Sequence, residues 1–336
     1  MRPFDYQRAV DLAQASQIGR LTGQGQTDAP AQFLAGGTTL IDLMKLDVLR
    51  PATVVDLTPL QRGHSVIEAG VSGLRLGALA KMSAAAEHPT VARDYPVIAQ
   101  SLQLAASAQL RNMATLGGNV LQRTRCPYYR DPSWAACNKR QPGSGCTALR
   151  SFNRNHAVLG VDSSCIAQYP GDFATALAAL GAQVELSGPV RQRIIPFEAL
   201  HRPADGRPHV ETTLAPGEVI TAFQVPPGPW RRSLYLKIRD RQSYEFAVAS
   251  AAVALDLDGD IVRQARIGLG GMAYRPWRAH EAEALLTGKP LTEANAETAA
   301  HAALAGAVAH GDNAYKPELA RRTLVRALLD AKAMEI

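Results

Sequence analysis

The stretch FLAGGTTLIDLMKLD, residues 33–47, joins a short apolar segment to a helical one through a pair of glycines. The apolar start predicts a strand, and the apolar spacing after the threonines predicts a helix. Gly36 and Gly37 allow positive φ, and successive backbone N–H groups in such a turn form a concave site for an anion such as pyrophosphate. Thr38 and Thr39 add hydroxyl donors where the helix dipole also favours negative charge.

A second glycine loop, ATLGGNVL at residues 114–121, has the same design, with Thr115 before Gly117 and Gly118 and with Asn119 after them. One isolated glycine pair usually marks only a tight turn, whereas two loops of this kind favour a ligand. Neither loop fits the G-x-G-x-x-G dinucleotide pattern or the G-x-x-x-x-G-K-[ST] phosphate loop. A Rossmann dinucleotide site and a P-loop nucleotidase are therefore disfavoured.

The rest of the first 225 residues predicts short strands and helices without regular alternation. Residues 5–17 have helical spacing of apolar side chains, and a longer helix fits residues 93–112. The remaining predicted elements are strands at 53–58, 65–70, 74–78, 183–188 and 220–226, and helices at 78–88 and 172–182.

A proline- and glycine-rich segment, PPGPW at 226–230, predicts a domain boundary. After it, residues 233–239 and 246–272 predict three or four strands with a DLDGD hairpin turn, and mainly helical sequence follows to the end. Strands grouped together and then helices grouped together favour an α+β fold over a doubly wound sheet.

Composition limits the classes of protein that this chain can represent. Its 336 residues are 46% hydrophobic and 20% charged, which predicts a globular protein of several domains, and no apolar run is long enough to span a membrane. The formal net charge is +6, but aromatic residues make up only 6% and no DNA-binding motif is present, so we do not expect nucleic-acid binding. The first residues lack an apolar segment and a twin arginine, so we expect no export signal on this chain.

All four cysteines of the chain, Cys126, Cys137, Cys146 and Cys165, fall within one irregular segment. Disulfides would require an oxidising compartment, and structural zinc usually shows C-x2-4-C pairs, which are absent here. An iron–sulfur cluster can take four thiolates from a long loop. Basic residues would stabilise such an anionic cluster but would do nothing for a disulfide. Spacing alone does not separate these interpretations from a solvated basic loop. The basic residues near the cysteines are Arg123, Arg125, Arg130, Lys139, Arg140, Arg150 and Arg154.

Several motifs, in order along essentially the whole chain, resemble the FAD-binding subunit of the xanthine dehydrogenase (molybdenum hydroxylase) family. They are AGGTTLIDLMKL, ATLGGNVLQRTRCPY, KIRDRQSYEFAVAS, RIGLGGMAYRPWRA and NAYKPELARRTL. The resemblance implies a two-part FAD-binding domain of the vanillyl-alcohol-oxidase/CO-dehydrogenase flavoprotein type at 1–225, with parts at about 1–55 and 56–225. A C-terminal α+β domain is then expected at 226–336.

The cysteine-rich insertion at 122–167 is similar to one branch of this family, the periplasmic aldehyde oxidoreductases of bacteria, whose flavin subunits carry an additional [4Fe–4S] cluster. This resemblance implies that Cys126, Cys137, Cys146 and Cys165 are the cluster ligands.

The resemblance also implies which residues bind FAD. The first loop matches the segment that holds the pyrophosphate, and the second loop matches another flavin segment. Asp172 falls where the family has an aspartate on the ribityl or ribose side, after Gly171 in place of a common serine, and Lys237 falls near the isoalloxazine ring. Alternatively, Asp172 caps the following helix and Lys237 faces solvent. The implied loop residues are Leu34, Ala35, Gly36, Gly37, Thr38, Thr39, Leu40, Thr115, Leu116, Gly117, Gly118 and Asn119.

Four further residues have no settled role. Tyr244 and Phe246 either line the flavin pocket or belong to the core, and Trp277 and Arg278 are expected to be structural or interface residues.

The implied function is electron transfer within a molybdenum-dependent aldehyde oxidoreductase. The chain shows neither a molybdopterin site nor the C-x4-C-x2-C spacing of a [2Fe–2S] subunit, so these centres are expected on a large and a small partner subunit of a heterotrimer. FAD on this chain would pass electrons to an external acceptor. The alternatives are a self-contained flavin oxidase or reductase, and a non-redox adaptor with disulfides or zinc. We expect a periplasmic location through co-export with a signal-bearing partner, with the cytoplasm as the alternative.

Overall fold

The computed structural model describes residues 1–21 and 26–336, which form three sheets and the helices packed on them. The strands are β1 Asp5–Arg8, β2 Ala31–Leu34, β3 Thr53–Asp56, β4 Ile67–Gly70, β5 Gly73–Gly77, β6 Gln183–Ser187, β7 Gln192–Pro196, β8 Val219–Val225, β9 Ser233–Ile238, β10 Ala249–Asp258, β11 Ile261–Gly270 and β12 Trp277–Arg278. The α-helices are α1 Leu12–Ile18, α2 Leu40–Lys45, α3 Gln61–His64, α4 Met82–Glu87, α5 Pro89–Asp94, α6 Pro96–Gln103, α7 Ala108–Met113, α8 Leu116–Val120, α9 Pro127–Arg130, α10 Asp172–Ala179, α11 His280–Leu286, α12 Glu293–Ala303 and α13 Lys316–Lys332.

The first sheet has the order β1-β3-β2, and all of its strands run parallel. The predicted helix over residues 5–17 is wrong in its first half, because residues 5–8 form β1 beside the fully buried strand β3. Pairing with a distant strand overrides the local apolar spacing. Helix α1 begins only at Leu12, where the side chain of Asp11 accepts the N–H of Gln14 at 2.8 Å.

The second sheet is antiparallel, with the order β4-β5-β8-β6-β7, and α4, α6 and α10 pack in the core beside it. The long helix predicted at 93–112 is wrong, because the chain forms three shorter helices there. Pro96 begins a new helix and lacks the N–H that a continuous helix would use. Ala106 has φ +50°, so its backbone is left-handed and separates α6 from α7.

The third sheet has the order β12-β11-β10-β9, and α11, α12 and α13 share its second core. Strands β10 and β11 form the hairpin that the DLDGD sequence predicted, with Gly259 at φ +56° in its turn. The predicted α+β class is confirmed by this grouping of strands and helices. No helix in the described parts of the chain has the length and apolar character needed to cross a bilayer. The proposed division at residues 225 and 226 stays a prediction.

Candidate cofactor site

Both glycine loops line one cavity of about 480 Å³. Of the twelve loop residues predicted from the sequence, nine form part of its wall. The other three are Leu34, Leu116 and Asn119; Leu34 ends β2, and Leu116 is fully buried in the core. The nine wall residues are Ala35, Gly36, Gly37, Thr38, Thr39, Leu40, Thr115, Gly117 and Gly118.

The first loop turns sharply between β2 and α2. Gly37 has φ +75°, a conformation that side chains disfavour, and its carbonyl oxygen accepts the N–H of Ile41 at 3.0 Å as the helix begins. The hydroxyls of Thr38 and Thr39 have no hydrogen-bond partner within residues 1–21 and 26–336. They are therefore available to a ligand in the cavity.

The second loop is the N-terminus of α8. The hydroxyl of Thr115 accepts the N–H of Gly118 at 3.3 Å and caps the helix. A Cβ on Gly117 would lie 3.2 Å from Ala78, so the loop packs closely on the end of the second sheet. The buried Oδ1 of Asn119 has no partner in the described chain. A buried polar atom without a partner is unfavourable unless a ligand or water satisfies it.

The wall of the cavity also contains an ionic cluster that sequence analysis did not foresee. Glu211 accepts a hydrogen bond from Lys139 at 2.6 Å and pairs with Arg123 through its other oxygen. Tyr274 and His201 lie on the same wall. No local sequence pattern marks Glu211, His201 or Tyr274 as part of a site, because all three lie far along the chain from Arg123 and Lys139.

Burial and pairing set the charges on this wall. Burial alone would lower the pKa of Lys139, but the carboxylate of Glu211 outweighs burial and raises it. Burial would raise the pKa of Glu211, but Arg123 and Lys139 hold it below its usual range. Burial lowers the pKa of His201 to about 4 and raises the pKa of Tyr274 to about 12. At neutral pH the cluster of Arg123, Lys139 and Glu211 therefore holds two cations and one anion.

Asp172 and Lys237, both predicted to contact flavin, form a buried ion pair with each other. The ammonium of Lys237 lies 2.8 Å from Oδ2 of Asp172 and donates to the carbonyl of Leu104 at 3.0 Å, while the hydroxyl of Tyr235 donates to Oδ1 of Asp172 at 2.7 Å. Burial raises the pKa of Asp172, and Lys237 opposes that rise. Neither side chain lines the cavity.

The two structural alternatives for this pair are wrong. The side chain of Lys237 is only 1% exposed, so it does not face solvent. Gly171, not Asp172, is the N-cap of α10, and the Asp172 carboxylate bonds to side chains instead of to helix N–H groups. Contact of either residue with FAD stays a prediction.

The structure gathers the four cysteines in one region, and all four thiols are free. Cys126 packs in apolar clusters that also contain each of the other three. Cys137 and Cys146 lie opposite each other in a short antiparallel bridge, and the thiols of Cys146 and Cys165 influence each other electrostatically. The Asp162 carboxylate accepts the N–H of Cys165 at 3.2 Å and fixes the last turn of the loop.

The thiols differ in acidity. The interaction between the two thiols lowers the pKa of Cys146 to about 6 and raises the pKa of Cys165. Burial raises the pKa of Cys126 to about 12, and the ring of His156 lies 3.2 Å from its sulfur. One thiol of the group is thus already poised to ionise near neutral pH.

The four thiols are the donor type that an iron–sulfur cluster would require. No group of three or more Cys, His, Asp or Glu side chains among the described residues is arranged around one ion. A cubane differs, because each of its four thiolates bonds a separate iron at a separate corner. Four buried or half-buried thiols on one loop match that requirement in number and type.

Most of the basic side chains near the cysteines anchor the loop instead of facing the sulfurs. Arg130 pairs with Asp42 at 2.8 Å, and Arg154 pairs with Asp240 at 2.7 Å. The expected cationic surroundings of the thiols are therefore largely neutralised by distant carboxylates. Lys139 is paired as well, with Glu211, but its ammonium also opposes the rise in the pKa of Cys165.

Comparison with known proteins identifies the family. The sequence pattern of the FAD binding domain in molybdopterin dehydrogenase matches residues 2–228, and that of the CO dehydrogenase flavoprotein C-terminal domain matches residues 234–331. The chain belongs to the FAD-binding subunits of the molybdenum hydroxylase family. The resemblance inferred from the sequence is confirmed, and this flavin subunit is part of an oxidoreductase that uses FAD.

The similarity extends over the full chain. The flavin subunit is 42% identical over 336 residues to the aldehyde oxidoreductase FAD-binding subunit PaoB of Escherichia coli, covering 99% of both chains. It is 29% identical to the carbon monoxide dehydrogenase medium chain of Afipia carboxidovorans, covering 98% of this chain and 97% of that one. The crystal structure of the cyanide-inactivated Cu,Mo-CO dehydrogenase superposes with a TM-score of 0.75 at 28% identity, covering 99% of both chains.

The cavity of this flavin subunit has the features that FAD requires. Two glycine loops, free threonine hydroxyls and a net positive wall suit the pyrophosphate, and the buried Nε2 of His201 has no partner among the described residues. The sequence predicted the two glycine loops but not the ionic cluster of Arg123, Lys139 and Glu211 on the cavity wall.

Proposed function

We propose that this chain is the FAD and [4Fe–4S] electron-transfer subunit of a molybdenum-dependent aldehyde oxidoreductase. Substrate would be oxidised on a partner subunit, and the electrons would leave through this chain to an external acceptor. The likeness to PaoB, a subunit of an aldehyde oxidoreductase, supports the substrate class. The proposal includes a [4Fe–4S] cluster because the four cysteines supply the thiolate ligands that such a cluster requires.

One observation carries this proposal: the loop that gathers the cysteines also forms a wall of the FAD cavity. Lys139 lies two residues after Cys137 and lines the cavity. Tyr274 lines the cavity as well, and its side chain belongs to the same apolar cluster as Cys165. Two redox centres held on these groups would therefore share Lys139 and Tyr274 between them.

The residues of this chain bind and orient the cofactors. The glycine loops offer backbone N–H groups and threonine hydroxyls to FAD, and the ionic cluster of Arg123, Lys139 and Glu211 adds charged groups to the wall of the same cavity. Apolar packing around Cys126 and Cys165 limits the access of water to the sulfurs. Bound FAD exchanges one or two electrons and an iron–sulfur cluster exchanges one, and this chemistry belongs to the cofactors themselves.

The proposed complex is a heterotrimer with a large subunit that carries the molybdenum cofactor and a small subunit that carries two [2Fe–2S] clusters. Several relatives are named medium chains or medium subunits, which supports an assembly with larger and smaller partners. We also propose a periplasmic location reached by co-export with a signal-bearing partner. Fractionation of cells tests this, and recovery with cytoplasmic markers would contradict it.

The electron-transfer role is tested by adding an aldehyde anaerobically to the purified complex and following the flavin absorbance. The account predicts that the flavin band is bleached in the complex and not in the chain separated from its partners. Bleaching and aldehyde oxidation by the separated chain would instead support a self-contained flavin oxidase.

The role of the cysteines is tested with Cys137→Ser, using Ser163→Ala on the same loop as a control, because Ser163 is exposed. If the cluster is a relay, Cys137→Ser slows turnover with one-electron acceptors while FAD is retained. Unchanged rates with every acceptor would leave the cluster only a structural role.

A further inference from the structure

The ionic cluster on the cavity wall is buried and highly connected. The side chains of Lys139, Arg123 and Glu211 are 4%, 11% and 16% exposed. Arg123 donates to the hydroxyl of Thr27 at 2.8 Å, and that hydroxyl donates to the carbonyl of Lys139 at 3.1 Å. The three charged groups are therefore fixed relative to one another.

Within the cluster of Arg123, Lys139 and Glu211, the cations outnumber the carboxylates by one. The other two charged side chains on the cavity wall are already paired, Glu218 with Arg193 and Arg202 with Asp205. The undescribed residues 22–25 have the sequence TGQG and carry no ionisable side chain. A buried charge of this kind is costly unless an anion accompanies it.

Arg123 and Lys139 both line the cavity. The ammonium of Lys139 donates to one oxygen of Glu211 at 2.6 Å and also to the hydroxyl of Tyr274 at 3.3 Å. Arg123 contacts the other oxygen of the carboxylate and lies on the cavity wall. The guanidinium of Arg123 is therefore available to an anion in the cavity.

Tyr129 links Arg123 to the first glycine loop. The guanidinium of Arg123 stacks on the ring of Tyr129 at 5.3 Å, and Tyr129 packs in the same apolar cluster as Leu40, the first residue of α2. The free hydroxyls of Thr38 and Thr39 precede Leu40 on this loop. Backbone N–H groups, hydroxyls and a guanidinium thus line the same cavity, and together they are the donor set that a phosphate prefers.

We propose that Arg123, positioned by Glu211 and Lys139, binds the pyrophosphate of FAD, so that the cysteine-rich segment holds the cofactor together with the two glycine loops. The proposal deepens the function proposed above and rests on FAD occupying this cavity. It makes Lys139 a positioning residue, because it orients Glu211 and hence Arg123. FAD retention would then depend on the order of the cysteine-bearing loop.

The test compares FAD with riboflavin, which lacks phosphate, in the flavin-depleted complex. Binding is followed by the quenching of flavin fluorescence. We expect Arg123→Met to weaken FAD binding at least about 10-fold, as for loss of a charge-assisted hydrogen bond, and to leave riboflavin binding unchanged. Arg123→Lys should recover part of the loss. Arg150→Met is the matched control, because Arg150 is exposed on the same segment and has no charge partner in the described chain.

Equal weakening of FAD and riboflavin would show a merely structural role for Arg123 and would overturn the proposal, as would unchanged binding of both. If Arg123→Met fails to assemble, Arg123→Gln keeps hydrogen-bond donors towards Glu211 and Thr27 without the charge, and the same comparison applies. The readout does not depend on iron. A complex without a [4Fe–4S] cluster would therefore overturn the proposed function and leave this comparison valid.

Discussion

The backbone of Gly36 packs against the carbonyl oxygen of Met113, and this contact joins the two glycine loops. A Cβ on Gly36 would lie 2.2 Å from that oxygen, much closer than atoms in contact can approach. The ammonium of Lys81 donates to the same oxygen at 2.9 Å and holds it in place. The first loop therefore reaches its position beside the second only if residue 36 lacks a side chain.

Gly36→Ala should force the loops apart and lower the amount of FAD bound per chain severalfold, because both loops line the cofactor cavity. Flavin absorbance of the purified complex, relative to protein, measures the effect. Gly63→Ala is a suitable control, since a Cβ there meets nothing within 4 Å. Full FAD content in Gly36→Ala would show that the close contact is dispensable.

Asp172→Asn should destabilise the fold by about 3–5 kcal/mol, because it leaves the buried ammonium of Lys237 without its carboxylate. Lys237→Met should cost a similar amount. The double variant should cost clearly less than the sum, since it leaves no unpaired charge. Urea unfolding of the three variants measures these differences, and simple additivity would argue against the ion pair.

Lys316 should make stability depend on pH. Its side chain is fully buried, donates to Gln168 at 2.7 Å and to the carbonyl of Gly271 at 2.8 Å, and burial lowers its pKa to about 7. Below pH 7 the ammonium is charged in both the folded and the unfolded state, so the folded state carries the whole cost of burying the charge. Between about pH 7 and 10 the folded protein releases the proton while the unfolded chain keeps it.

The free energy of unfolding of the wild type, relative to Lys316→Met, should therefore rise with pH across that window, by at most about 1.4 kcal/mol per pH unit. Urea unfolding at about pH 6 and about pH 9 checks this expectation. Lys289→Met, at an exposed lysine, should show no such trend. A difference between wild type and Lys316→Met that is constant with pH would mean that the buried amine keeps its proton throughout.

The parts of the fold and the site that depend on local chemistry were predictable from the sequence. Glycine and threonine reveal the two loops, because a sharp turn and an anion-binding backbone need those residue types. The clustering of four cysteines in one segment likewise indicated that they meet in space. The DLDGD hairpin followed from its turn residues.

Features that depend on distant partners were not predictable. Strand β1 looks helical by spacing and becomes a strand only because β3 lies beside it. Glu211 reads as an ordinary acidic loop residue, and its importance follows from Arg123 and Lys139, which lie far away in sequence. Asp172 and Lys237 were assigned through family resemblance, and their mutual ion pair has no signature in a single sequence.

The central claim is that the four cysteines hold a [4Fe–4S] cluster beside the FAD cavity. The EPR spectrum of the dithionite-reduced complex tests it most directly, with wild type and Cys146→Ser compared at matched FAD content. The account predicts a reduced [4Fe–4S] signal in the wild type that is absent from the variant, while the [2Fe–2S] signals of the partner subunit are the same in both. Identical spectra, with all four thiols of the native wild-type chain open to alkylation, would contradict it.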